Sequence, residues 1–205
     1  MAKLNTQPPF VVSALLAGRL YRMLETTKVM RVSSSNAKCI SIRGGVKTAG
    51  FKPITDFISE MAKDTISISS QINFIALSFS RTAVNEIRTV IALDSYKGVI
   101  ERLDDQSKTE RLLVLTHSIQ EKVDALKAEQ SNYCKLLNVL FDEISQRIRA
   151  AKIIVTNSRT EASRAGEYKA NLFAIADDLQ SCSESIACEI KVCRNYLDDL
   201  SNMTG

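Results

Sequence analysis

Tryptophan is absent from this 205-residue chain, and glycine (7), proline (3) and histidine (1) are scarce. Each shortage excludes something. So few Gly and Pro leave little material for tight turns, and 6% aromatic residues would make a thin β core. The single histidine, His117, leaves zinc short of ligands, since Cys182, Cys188 and Cys193 do not share one helical face. The five cysteines (Cys39, Cys134, Cys182, Cys188, Cys193) are odd in number and include no CxxC pair. No secretory signal with a small-residue cleavage site is seen, so reduced, mostly buried thiols in a cytoplasmic protein are expected. The longest apolar run, residues 10–17, is far shorter than the ~20 residues that cross a bilayer, so no transmembrane segment is expected and the protein should be soluble. No nucleophile–base pair, glycine-rich phosphate loop or carboxylate cluster is present, so the chain is not expected to be an enzyme, and no metal or cofactor is expected.

What is present points to helices. The apolar fraction of 45% and charged fraction of 24% are ordinary for a folded protein, and Leu, Ile, Ala, Glu, Lys and Arg are plentiful. The net charge of +4 is mild and both signs are interspersed. Arg31, Lys38, Arg43, Lys47 and Lys52 come nearest to a basic stripe; they read as a solvated helical face, and no nucleic-acid partner is expected.

The chain repeats itself. Asn36-Ala37-Lys38-Cys39-Ile40-Ser41-Ile42-Arg43-Gly44-Gly45 lies without a gap over Asn157-Ser158-Arg159-Thr160-Glu161-Ala162-Ser163-Arg164-Ala165-Gly166, an offset of 121 residues. In the same register Phe51 falls on Leu172, Ile54 on Ile175, Asp56 on Asp177 and Ile58 on Leu179. Each copy has a helix, a Gly-containing turn and a second helix.

The first helix places Leu15, Leu16, Leu20, Met23 and Met30 at helical spacing, with Met23, Met30 and Met61 expected in the core rather than on an adaptable binding surface. After the turn, Pro53 suits a first-turn position. Ile54, Ile58, Met61, Thr65, Ile68, Ile72, Ile75 and Phe79 alternate by four and three, the mark of a coiled-coil seam. Val84, Ile87 and Ile91 then suggest a stutter before the helix ends near Leu103. Asp104, Asp105 and Gln106 make the connection, and Ser107 with Glu110 fits a capping box. The third helix carries Leu112, Leu115, Ile119, Leu126, Tyr133, Leu137, Leu140, Ile144, Ile148 and Ala151. The fourth starts near Lys169 and carries Phe173, Ala176, Leu179, Ile186, Ile190, Cys193, Leu197 and Leu200. None of these rods is stable alone. The expected fold is therefore all-α: one elongated antiparallel four-helix coiled-coil bundle over residues 1–205. It would comprise two tandem hairpins, 10–103 (tip 43–52) and 107–203 (tip 164–171), with both tips at one end.

The second tip, Glu161-Ala162-Ser163-Arg164-Ala165-Gly166-Glu167 followed by Leu172 and Ile175-Ala176-Asp177-Asp178-Leu179, resembles the cytoplasmic hairpin tip of bacterial methyl-accepting chemotaxis receptors. There the pattern is Asn-Ala-x-Ile-Glu-Ala-Ala-Arg-Ala-Gly-Glu, four residues, Phe, then Val-Val-Ala-Asp-Glu-Val. The first tip keeps Asn36, Ala37, Arg43, Gly45, Gly50, Phe51, Ile54 and Asp56. The resemblance is specific over about 25 residues at each tip, and elsewhere it amounts to heptads. It implies a signalling rod that binds a coupling adaptor and a histidine kinase through its tips, and other receptors beside it. Glu161 and Arg164 occupy the family's polar tip pair, Asn157 its asparagine, and Phe51 or Leu172 its tip hydrophobe; Gly166, Glu167, Asn36, Arg43 and Gly50 complete the candidate protein-binding set. Ile40 stands where the family has glutamate, so the first tip lacks that residue's charge-assisted hydrogen bonds.

The repeat itself suggests a monomeric pseudo-dimer, two receptor-like hairpins fused in one polypeptide. Glu129-Gln130, the nearest candidate methylation pair, reads as part of a solvated face. Two alternatives stand beside the signalling reading: a degenerate decoy or scaffold in chemosensory arrays, and a helical phosphotransfer protein using His117, although His117 reads more simply as a solvent-facing or satisfied side chain.

Overall fold

A computed structural model describes residues 9–103 and 106–204. They form four α-helices, α1 (Pro9–Gly44), α2 (Phe51–Ile100), α3 (Gln106–Ser163) and α4 (Lys169–Thr204), and no strand is present among them. Short 3-10 turns, Gly45–Thr48 and Gly166–Tyr168, join α1 to α2 and α3 to α4. At 1.5 Å per residue, the 50-residue α2 and the 58-residue α3 are about 75 and about 87 Å long. Both α1 and α3 pack on α2 and α4.

The four-three pattern on α2 is what buries it. Ile54, Ile58, Met61, Thr65, Ile68, Ile72 and Phe79 are buried and Ile75 is half-buried. The expected stutter is not there: Ile87 and Ile91 are exposed, and Val84 is only half-covered. The heptad instead runs on through Thr82, Glu86, Thr89 and Leu93. Its polar members keep the geometric seam, so the apolar residues beside them fall off it. On α3 the same correction applies to Leu115, which is exposed while Thr116 and Val123 are buried. The capping box also needs revision. Helix α3 begins at Gln106, ahead of Ser107, so Ser107 lies within the helix. Asp104, Asp105 and the side chains of Ser107 and Leu200 lie outside the described residues.

Burial follows the 121-residue offset. Leu16 and Leu137, Leu20 and Phe141, Met23 and Ile144, Met30 and Ala151, Ile58 and Leu179, and Ile72 and Cys193 are repeat-equivalent pairs in which both members are buried. Two ion pairs follow it too. Lys38 Nζ donates to Asp56 Oδ1 at 2.7 Å, and Arg159 Nη2 donates to Asp177 Oδ1 at 2.7 Å. Between residues 84 and 129, by contrast, the buried side chains among those described are Leu93, Thr116 and Val123. The core thus belongs to the two copies, and the segment between them is a thinly packed α2–α3 extension.

At the foot of that extension, Gln130 is fully buried, and its Nε2 donates to Glu86 Oε2 at 2.6 Å while its Oε1 has no partner. The neighbouring Glu129 accepts from Tyr133 Oη at 2.7 Å and Thr82 Oγ1 at 3.4 Å, and this bond to Glu129 is the chief reason the Tyr133 phenol titrates above its ordinary range. Of the Glu129-Gln130 pair, Glu129 is exposed as a solvated face requires, while Gln130 is buried and is not part of that face. The layer needs polar partners because an amide sealed in a core must bond.

Candidate functional site

The two turns are built alike. Gly45 and Gly166, at equivalent repeat positions, have φ of 54° and 58°, a left-handed conformation that glycine adopts without the steric penalty of a Cβ. They differ in how they are tied down. In the first turn Ser41 Oγ donates to the Thr48 carbonyl at 2.9 Å, and Thr48 Oγ1 returns a bond to the Ser41 carbonyl at 2.8 Å. Gly44 makes room for that clasp, since a Cβ there would fall 2.4 Å from Thr48 Oγ1. In the second turn the equivalent of Ser41 is Ala162, buried with Ala165. One turn is latched by hydrogen bonds and the other by small-residue packing.

The turns also meet. Lys47 Nζ stands 3.8 Å from Glu167 Oε1, both side chains about two-thirds exposed. Glu161 reaches over Gly50, where an added Cβ would lie 2.2 Å from Oε2. On its other side Glu161 Oε1 is 3.8 Å from Arg164 Nη1. An intrahelical pair of this kind contributes only a few tenths of a kcal/mol at an exposed site. Its interest lies in where it points, since the Glu161 carboxylate joins the second turn to the start of α2.

Most of the sequence-derived set is gathered here with free surface. Asn36, Arg43, Gly50, Asn157, Arg164, Gly166 and Glu167 are exposed, and Glu161 is half-buried. Phe51 and Leu172 are not available: both are buried in the core, where a large apolar side chain at the first helical position of α2 or one turn into α4 is sequestered from water. They shape the tip from within. The Ser41/Thr48 clasp was missed by sequence reasoning, and no local signal marks it. The Lys38/Asp56 and Arg159/Asp177 pairs fall on aligned positions of the repeat, but the sequence reading takes Lys38 for a solvated face and names no ion pair there.

Elsewhere, His117 is exposed, 3.9 Å from Glu121. Cys134, Cys182 and Cys193 are buried while Cys39 and Cys188 are exposed. Burial, with the Glu189 charge adding to it, pushes the Cys193 thiol up to about 12. No helix among the described residues is long and apolar enough to cross a membrane. No family model, curated protein or solved structure matches the chain.

Proposed function

We propose that this chain is a cytoplasmic, receptor-like docking rod: one elongated antiparallel four-helix bundle made of two tandem hairpins, whose paired tips bind a coupling adaptor and a histidine kinase without catalysis. The observation that supports it is the equivalence of the two turns, with a left-handed glycine at each and matching ion pairs behind them. On this reading they serve within one polypeptide as the paired tips of a receptor dimer would. The second turn carries the receptor-like Glu161, Arg164 and Glu167, and presents Arg164 and Glu167 to solvent. Binding energy at such a surface comes from a few anchors rather than from area.

The test is capture of purified coupling adaptor and kinase by the chain and by a Glu161→Ala/Arg164→Ala variant. Loss of capture in the variant supports the reading, and equal capture by both removes it. Ile40, in the position of the receptor glutamate, favours a second reading in which the rod joins arrays without activating the kinase. Kinase autophosphorylation measured with the rod bound separates the two. Phosphate transfer to the rod that disappears in His117→Ala would replace both with a phosphotransfer role.

A further inference from the structure

From Thr26 to Thr55 the chain carries six cations, Lys28, Arg31, Lys38, Arg43, Lys47 and Lys52, and no acid. The run covers the second half of α1, the first turn and the start of α2, and all six side chains are exposed. The acids that meet them come from outside it: Glu25 lies 2.7 Å from Lys28, Asp56 2.7 Å from Lys38 and Glu167 3.8 Å from Lys47. Arg31 and Arg43 have no ion-pair partner among the described residues. Lys52 has only the field of Asp56, which Lys38 already holds. Bare aliphatic side chains stand among these charges. Val32, Cys39 and Ile42 follow one another by seven and three residues, so they share one outward stripe of α1, which Val46 prolongs onto the turn. Ile42 is 73% exposed and Val46 96%, with Val29 and Val32 more than half exposed beside them. Lys38, bonded to Asp56, marks the α2 edge of the stripe, and Arg31, seven residues back, continues that edge. The internal repeat shows that the fold does not require any of this. The equivalents of Ile42 and Val46 are Ser163 and Glu167, and the equivalent run, 147–176, contains Glu161 as well.

We infer that this ridge, the outer side of α1 together with the first turn, rests on the surface of an anionic bilayer. Charge complementarity names the occupant. Lysines and arginines interleaved with aliphatic side chains match a layer of lipid phosphates lying over hydrocarbon. Ile42 and Val46 enter the headgroup boundary, while Arg31, Arg43, Lys47 and Lys52 lie among the phosphates. A nucleic acid would attract the same charges, but it offers Ile42 and Val46 no hydrocarbon to enter. Base stacking also needs an open aromatic face, and Phe51, the one aromatic residue of the run, is buried. The rod therefore lies on the membrane without spanning it, consistent with the absence of a long apolar helix among the described residues. Glu161, Arg164 and Glu167 of the second turn take no part, so the inference does not rest on what that turn binds.

Co-sedimentation of the purified full chain with phosphatidylcholine vesicles, with and without phosphatidylglycerol, tests it. Binding is expected only where phosphatidylglycerol is present, and added salt should weaken it. Lys47→Glu/Lys52→Glu should reduce that binding by more than about tenfold, with helical content unchanged because both side chains face solvent. The chain has no tryptophan, so Val46→Trp supplies a single emission probe at the most exposed point of the ridge. Its emission should shift to the blue when the vesicles are added. Absence of phosphatidylglycerol-dependent binding overturns the proposal, as does binding indifferent to Lys47→Glu/Lys52→Glu or an unshifted Val46→Trp emission in the bound state. Duplex DNA bound more tightly than the vesicles at equal salt, and released by the same double substitution, would assign the ridge to nucleic acid instead. Adaptor and kinase are absent from the assay, so its failure leaves the docking reading of the tips untouched.

Discussion

Glu161, on the last turns of α3, lies across Gly50 at the start of α2, so close that a Cβ on Gly50 would meet its Oε2 at 2.2 Å. Gly50 itself has φ −64°, an ordinary helical value that needs no glycine. Gly50→Ala should therefore leave folding stability within about 1 kcal/mol of wild type, the small gain in chain stiffness offsetting the displacement of a flexible side chain. It should nevertheless swing the Glu161 carboxylate out of place. The expected outcome is an unchanged denaturation midpoint together with reduced capture of adaptor and kinase. Unchanged capture would detach Glu161 from the binding surface.

The left-handed glycines behave differently. Alanine at Gly45 or Gly166 must adopt φ of 54° or 58°, at a cost of about 1–2 kcal/mol each. Nothing crowds Gly45, so there the penalty is backbone strain alone. Asparagine, which tolerates this region better, should recover part of the loss at both sites. Urea denaturation of the four single variants checks the ranking.

The bond from buried Gln130 to half-buried Glu86 gives a double-mutant prediction. Glu86→Leu strands the Gln130 amide, whose Oε1 already lacks a partner, and should cost about 1–3 kcal/mol. Adding Gln130→Leu removes the stranded group and should return most of that stability. If the double variant is no better than the single, the layer contributes something beyond satisfied hydrogen bonds.

Asp56 is held below the ordinary carboxylate range by the hydrogen bond from Lys38. A carboxyl depressed in the folded state stabilises the fold above its unfolded value, about 3.9, and loses that contribution as pH falls through the lower folded value. Asp56→Asn should thus melt slightly below wild type near neutral pH, and the two curves should converge in strong acid. Because both partners are exposed, added salt should shrink the gap as well.

Thiol reactivity should follow burial. Cys39 and Cys188 are expected to react with a disulfide reagent in the native protein, and Cys193, with its thiol pushed up to about 12, only after unfolding. Mass spectrometry after a short exposure distinguishes the sites.

The seam from Ile54 to Phe79 could be read from sequence because there the apolar residues and the geometric stripe coincide. Past Phe79 they part company: Thr82, Glu86 and Thr89 hold the stripe while Ile87 and Ile91 sit outside it, and apolarity alone picks the wrong residues. The tips show the same division. The repeat announces the glycine turns, since each is encoded locally and twice; it aligns Lys38 with Arg159 and Asp56 with Asp177 without saying that they pair. The contact of Glu161 with Gly50 joins residues 111 positions apart through the docking of one hairpin on the other, and a list of either tip's residues does not contain it. Phe51 and Leu172 were misplaced for a related reason, as a large apolar residue beside a turn fits a docking anchor and a core plug equally well until its neighbours are known.

The matched turns hang on one covalent thread, running from Gly45 through the α2–α3 extension to Gly166. Two separate chains holding such turns together would come apart on dilution, and each could re-pair with any other copy. Here the local concentration of one turn about the other is set by the chain and not by the solution. The pair therefore persists at any dilution in which the chain stays folded, and its two members cannot be exchanged. A substitution at one turn stays on that turn, so the two faces of the pair are free to differ, as Ile40 and Glu161 already do.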